Sequence, residues 1–233
     1  MKQKCLLEIS VQTLEGAMAA ERGGADRIEL CGDLSVGGVT PSPELMLKTR
    51  TSVAIPIFAM IRPRAGNFVY SDEDLAVMRS SIKLAKQLQM NGVVLGILTA
   101  ESRIDVERTR ELVKLAKGMN VTFHRAIDET PDLLVALEDV VQTAASRILT
   151  SGGKRTALEG AATITEMVSQ SRGRVTILPG AGINAENAAE VLRKTGASEI
   201  HSGLSSAMPY GSGDYKKFEA EVRKLAKRVA TCG

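Results

Sequence analysis

The sequence contains no tryptophan, and Phe, Trp and Tyr together make up 3% of its 233 residues. A platform for stacking nucleic-acid bases is therefore excluded, and a net charge of +3 is too small to grip a phosphate backbone. Cysteine is scarce as well. The three thiols, Cys5, Cys31 and Cys232, show no CxxC spacing. That excludes a zinc ribbon and a disulfide framework and points to the reducing cytosol. No apolar run approaches the length of a membrane span. The stretch from Met1 to Ser10 is broken by Glu8, so neither a signal peptide nor an anchor is expected in it. Linkers, low-complexity segments and blocks of like charge are also missing, and residues 1–233 read as one domain.

What the sequence does have is alternation. Short apolar runs end in a polar residue or a Gly-rich turn just before a loop and a helix. Leu6-Leu7 run into Glu8, Ile28 into Glu29 and Cys31, Phe58 through Ile61 into Arg62, and Val121 through Phe123 into His124 and Arg125. Ile148-Leu149 run into Thr150-Ser151-Gly152-Gly153, Val175 through Leu178 into Pro179-Gly180-Ala181-Gly182, and Ile200 into His201-Ser202-Gly203. A further strand is expected near Gly92 to Ile97. Helix signals fall between them. Ser42-Pro43-Glu44 and Thr130-Pro131-Asp132 each read as an N-cap with Pro at the first helical position. Ser71 precedes three acids, Asn184 through Asn187 opens another helix, and Asp214 opens the last. About eight strand–helix units of ~25–30 residues predict an α/β fold, a TIM-like (β/α)8 barrel with one site at the C-terminal strand ends. A doubly wound open sheet is the competing architecture, although the segment after Glu8 lacks a Gly-rich first turn.

Side chains alternate faces along a strand, so parity sorts the candidates. If Glu8 faces inward, so do Glu29, Cys31, Arg62, His124 and His201. Two acids, a permanent cation and two imidazoles are equipment for proton transfer on an anionic substrate. In that reading Glu8, Glu29 and His124 are the acid–base residues, and Arg62 binds a carboxylate or phosphate bidentately. The same groups can also form a purely structural ion-pair network. The turns at Ser151-Gly152, Gly180 to Gly182 and His201-Ser202 offer backbone N–H groups as anion nests, with Arg64 and Arg125 as further cations. Two long loops, Cys31 to Pro41 and Pro63 to Ser71, are expected on the same face as lids or specificity elements. Cys31 is a candidate nucleophile or soft-metal ligand. Cys5 has the opposite parity and is expected to face the helices.

The segments Leu7-Glu8-Ile9, Gly24 through Cys31, Gly37 through Ser42, Ile61 through Gly66, Thr122 through Ala126, Leu149 through Gly153, Gly180-Ala181-Gly182 and Glu199 through Ser202 together resemble the CutC family. The resemblance runs in order along nearly the whole chain. It implies a cytosolic TIM-like barrel, often dimeric, linked to copper tolerance. One position departs from the family. There the first strand often continues from Leu-Glu-Ile or Leu-Glu-Val to Cys, but here the next residue is Ser10. Cu(I) prefers thiolate and thioether ligands, so Cys31 stands without its usual soft partner, and at most a weak Cu(I) site at Cys31 is expected. Three readings follow: a copper-handling protein, an enzyme acting on a small anionic metabolite, and an interaction scaffold.

Overall fold

Six residues of the first apolar run, Leu6–Val11, form strand β1, which continues through Glu8 rather than ending there. This computed structural model describes residues 5–204 and 213–231. Cys232 lies outside them. The other strands are β2 (Arg27–Leu30), β3 (Ile57–Met60), β4 (Gly92–Leu95), β5 (Asn120–Phe123), β6 (Arg147–Thr150), β7 (Thr176–Pro179) and β8 (Glu199–Ser202). All pairings are parallel, and the order in the eight-stranded sheet is β7-β6-β5-β4-β3-β2-β1-β8. Among the described residues no backbone ladder joins β7 to β8. The two nevertheless lie side by side. Ser202 Oγ donates to Ile183 O at 2.6 Å, and a Cβ built on Gly180 would sit 3.4 Å from His201 Cβ. The sheet is thus a nearly closed barrel, as the alternation predicts.

Helices α1 (Leu14–Gly23), α2 (Pro43–Ser52), α3 (Asp72–Gln87), α4 (Val106–Leu115), α5 (Leu133–Thr143), α6 (Ala161–Ser171), α7 (Ala188–Thr195) and α8 (Tyr215–Ala230) alternate with the strands outside the barrel. No helix among the described residues is long and apolar enough to cross a membrane. Ser42 caps α2 with Pro43 in the first turn, Ser71 and Asp74 cap α3 reciprocally, and Asp214 caps α8. Two expected starts are displaced. Asp132, not Thr130, caps α5, accepting from Leu134 N and Val135 N, whereas the Thr130 hydroxyl donates to Ile127 O and closes the preceding turn. Asn184 accepts from Glu186 N and Asn187 N in a turn of its own, and α7 begins only at Ala188.

The outward strand faces and the inward helix faces make the main core, which includes Cys5, Leu7, Ile9, Ile28 and Ile200. Cys5 therefore faces the helices, as its parity requires. Inside the barrel is a second, smaller cluster of Cys31, Phe58, Met60 and Val94. Two inward glycines of the β4 segment make room for it and for the site above. A Cβ on Gly92 would lie 2.7 Å from the Phe58 ring, and one on Gly96 would lie 2.5 Å from His124 Nδ1. Only glycine leaves space for both rings.

Candidate functional site

The barrel interior is polar from its floor upward. Glu8, Arg27, Glu199 and Arg147 are all buried and form one chain of ion pairs. Arg27 Nε reaches Glu8 at 2.5 Å, Arg27 Nη2 reaches Glu199 at 2.5 Å, and Arg147 Nε reaches the same Glu199 oxygen at 2.8 Å. Both guanidinium groups lie over the Phe58 ring, at 4.7 and 5.2 Å. Two cations offset two carboxylates, so each buried charge is compensated. Arg27 and Arg147 are not among the residues that the polar strand ends single out. The signal was available: Arg27 precedes Glu29 by two, and Arg147 precedes Leu149 by two, so both share the inward parity.

Above this floor, Glu8, Glu29 and His201 place their ligand atoms within 4.8 Å of one another. His201 Nδ1 and Glu8 Oε1 are 2.7 Å apart, and His201 Nε2 stands 3.9 Å from Glu29 Oε2. Burial alone raises the Glu8 carboxyl, but the Arg27 charge and the His201 hydrogen bond outweigh it and hold the group at about 2. Burial likewise acts to lower His201, but Glu29 and the bond to Glu8 more than reverse it, and the imidazole is raised above its ordinary value. For Glu29 burial prevails and the carboxyl is raised. Its Oε1 is buried without a hydrogen-bond partner, while Oε2 accepts from the Cys31 thiol at 3.6 Å. Burial, reinforced by the Glu29 charge, pushes that thiol well up, so Cys31 is a protonated donor and not a thiolate.

A cavity of about 430 Å³ opens over this cluster. Glu29, Arg62, His124 and His201 line it together, with Ser10 and Met60 below and Arg125 and Lys154 at the rim. Leu34, Val36 and Gly37 from one long loop and Phe68 from the other complete the wall, so both loops stand at the mouth. His124 Nδ1 accepts from Ala126 N at 3.2 Å, which leaves the proton of a neutral ring on Nε2. Burial and then the Arg62 charge lower His124 to about 3, so it is neutral near pH 7. Its Nε2 has no partner.

Several of the other expected anion-binding groups are engaged within the protein. Arg62 Nη1 donates to Val36 O and Gly38 O, Nη2 donates to Gly66 O, and the buried Tyr70 hydroxyl lies against the same guanidinium. The guanidinium fork therefore ties the two long loops together and is not open for bidentate capture. Asp128, which the polar strand ends also overlook, occupies the nest after β6. Its carboxylate accepts from Thr150 Oγ1, Ser151 N, Ser151 Oγ and Gly153 N and pairs with Arg125. Gly152 N donates to Thr150 Oγ1 and Gly180 N to Thr150 O. Gly182 takes a positive φ of 69°, and its carbonyl accepts from Asn187 Nδ2. Arg64 turns to Asp74 and the loop around Asn67.

The CutC family model matches residues 5–206. The chain belongs to the CutC family. It is 44% identical over 206 residues to a human protein named "copper homeostasis protein cutC homolog", covering 88% of this chain and 76% of that one. A CutC family protein of Photobacterium profundum is 40% identical over 232 residues, covering 95% of each. Against the crystal structure of CutC from Streptococcus agalactiae the TM-score is 0.81 at 32% identity, covering 85% of this chain and 98% of that one. Phosphoribosyl anthranilate isomerase from Thermotoga maritima superposes with a TM-score of 0.61 at 14% identity over 97% of this chain and 98% of that one, a likeness of fold alone. The fold is a TIM-barrel frame, and copper homeostasis is the role that the human relative's name carries.

Proposed function

We propose that this CutC-family chain handles copper through Glu29 and His201 at the base of the mouth cavity, with Glu8 holding His201 in orientation. The observation that carries the reading is the buried Glu29 carboxyl. Its Oε1 has no partner, and its Oε2 faces His201 Nε2 across 3.9 Å, longer than a hydrogen bond. Two donors on one first-row ion stand roughly 3–4 Å apart, given bond lengths of about 2.0–2.2 Å. The Glu8–His201 bond is the carboxylate–imidazole pairing that orients metal-binding histidines. Imidazole and carboxylate donors suit a divalent first-row ion, and in that series copper binds most tightly. Cys31 touches Glu29 but is protonated, and as a lone thiol it makes a poor Cu(I) site. The buried thiol of Cys31, which is in no disulfide, supports a reducing, cytosolic setting.

The chain has two histidines, which makes the test direct. Cu(II) added to metal-stripped protein is expected to bind one to one, with a single imidazole nitrogen in its paramagnetic resonance spectrum. That signature is lost in His201→Asn and kept in His124→Asn. Glu29→Gln weakens binding by about 10–100-fold. Cu(II) competes with protons for Glu29 and His201, both raised, so its affinity is expected to fall as pH drops. From protein loaded with Cu(I) instead, a competing Cu(I) chelator is expected to remove the metal. Cu(II) affinity unchanged in both His201→Asn and Glu29→Gln would overturn the assignment. Tight Cu(I) binding lost in Cys31→Ser would move the copper site to the thiol.

A further inference from the structure

Glu29 and His201 give a bound ion two donor groups, and the protein has few others to add. Cu(II) takes a square-planar or tetragonal set of about four donors or more. Both oxygens of Glu8 are engaged, Oε1 with His201 Nδ1 and Oε2 with Arg27. The Asp128 carboxylate is filled by the nest after β6 and by Arg125. Met60 offers a thioether, which suits Cu(I), and Ser10 a single neutral hydroxyl. The open positions face a cavity of about 430 Å³, far more than the ~30 Å³ that one water fills. A closed set of protein ligands marks a structural metal site, whereas open positions mark a site where a second molecule joins the metal.

We infer that copper at this site is held together with a small α-hydroxy dicarboxylate, whose hydroxyl and adjacent carboxylate chelate the ion while its far carboxylate meets Lys154 at the rim. The inference rests on the copper reading above and names the molecule that shares its site. The charges of the mouth select a dianion. The floor beneath is neutral, with Arg27 and Arg147 paired to Glu8 and Glu199. Asp128 offsets Arg125, its ion-pair partner. With copper seated, His201 is neutral and Glu29 ionised. Arg62, Lys154 and the dipositive ion then face Glu29 and Glu129, a surplus of two positive charges that a dicarboxylate cancels. Lys154 is exposed, and no hydrogen bond or ion pair engages its ammonium among the described residues. Arg125, exposed in the same rim, uses Nε on Asp128 and Nη2 on Ser151 and keeps Nη1 for a further oxygen. Leu34, Phe68 and Leu149 supply apolar wall for the carbon chain, in a cavity of the size that encloses small ligands.

Protein loaded with Cu(II) and titrated with malate tests the inference. Lactate, which lacks the far carboxylate, and succinate, which lacks the hydroxyl, are the references at equal ionic strength. Malate is expected to change the paramagnetic resonance spectrum saturably while the single imidazole coupling persists, and labelled malate is expected to be retained one to one in equilibrium dialysis. Succinate on loaded protein, and malate on metal-stripped protein, bind more weakly by about 10-fold or more, because each loses one point of attachment. Lys154→Ala, a change at an exposed position, weakens malate by about 3–5-fold at low salt and leaves lactate and Cu(II) binding unchanged. A spectrum that malate does not move, with no malate retained, would show that water fills the open positions and would overturn the inference while the copper reading stands. Loss of the imidazole coupling on adding malate would show that malate strips the ion instead of joining it, with the same result. Equal malate binding by Lys154→Ala would also overturn the inference, because the far carboxylate would then lie elsewhere. Absence of Cu(II) binding before malate is added would overturn the copper reading, and this inference with it.

Discussion

His124 keeps its proton on Nε2 because the Ala126 N–H occupies Nδ1, and it stays neutral because burial and the Arg62 charge disfavour a second proton. That arrangement has a cost in acid. The folded ring titrates at about 3, the unfolded one at about 6.5. Between those values the unfolded chain binds a proton that the folded chain does not, so stability falls as pH drops, by about 1.4 kcal/mol per unit. Glu29 and His201 are raised and act in the opposite sense, contributing stability below their unfolded values that is lost as pH rises through the folded ones. Glu8 is lowered to about 2, so its contribution is lost only below the ordinary carboxylate range. Comparison with a variant isolates His124. From about pH 6.5 to about pH 4.5, urea unfolding is expected to show the wild type losing ~2–3 kcal/mol relative to His124→Gln. A difference that does not change with pH would show that the ring is protonated within the fold. The inward position of His124 is legible in the sequence, since parity alone places it with Glu29 and His201. Its neutrality is not, because it depends on Gly96 and Phe68 closing around the ring, and those contacts come from other strands and loops.

At the scale of the element, the chain's capping chemistry marked the starts of α2, α3 and α8, and the exceptions are informative. Ser42, Ser71 and Asp214 have one plausible side-chain acceptor each near the start of the apolar pattern, and each caps its helix. At Thr130-Pro131-Asp132 two residues can cap, and geometry decides between them. The segment Arg125–Glu129 forms a tight 3-10 turn after His124, and Thr130 closes that turn by donating to Ile127 O at 2.7 Å. Asp132 then receives the free N–H groups of α5. A 3-10 turn of this kind leaves no hydrophobic period to read, which is why the boundary was displaced. Asp132→Ala is accordingly expected to lower stability by about 1 kcal/mol and Thr130→Ala by less, measured as shifts in thermal midpoint. The reverse order would restore Thr130 as the cap. The same turn carries Asp128 into the nest after β6, a contact between consecutive βα units that no local pattern announces.

The barrel as a whole was legible because each strand end repeats one signal, whereas the way its interior is filled was not. Hydrophobic period reports which face of a strand is buried, but not what lies across an 8-stranded sheet from it. The four-charge floor joins β1, β2, β6 and β8, and Glu8 and Glu199 meet Arg27 only once the strands close around Phe58. Arg62 shows the same dependence at the mouth. Its side chain crosses from the end of β3 to both long loops, taking Val36 O and Gly38 O with one nitrogen and Gly66 O with the other. The backbone adds Thr40 N to Arg62 O at 2.9 Å and Arg62 N to Thr40 Oγ1 at 2.9 Å. These bonds set the rim of the cavity through one planar, forked cation, a geometry that lysine cannot reproduce. Arg62→Lys keeps the charge and one contact but loses the fork. Hydrogen bonds to a charged group contribute about 1.5–3 kcal/mol each, so amide exchange in residues 32–40 and 64–70 is expected to accelerate by roughly 10–100-fold. Exchange in the strands, held by the ladders of the barrel, is expected to stay within about threefold of wild type. Uniform acceleration of loops and strands would assign Arg62 to global stability instead. Unchanged exchange in both loops would show that they are held at the mouth by their own backbone bonds and by Phe68, with no need of the guanidinium.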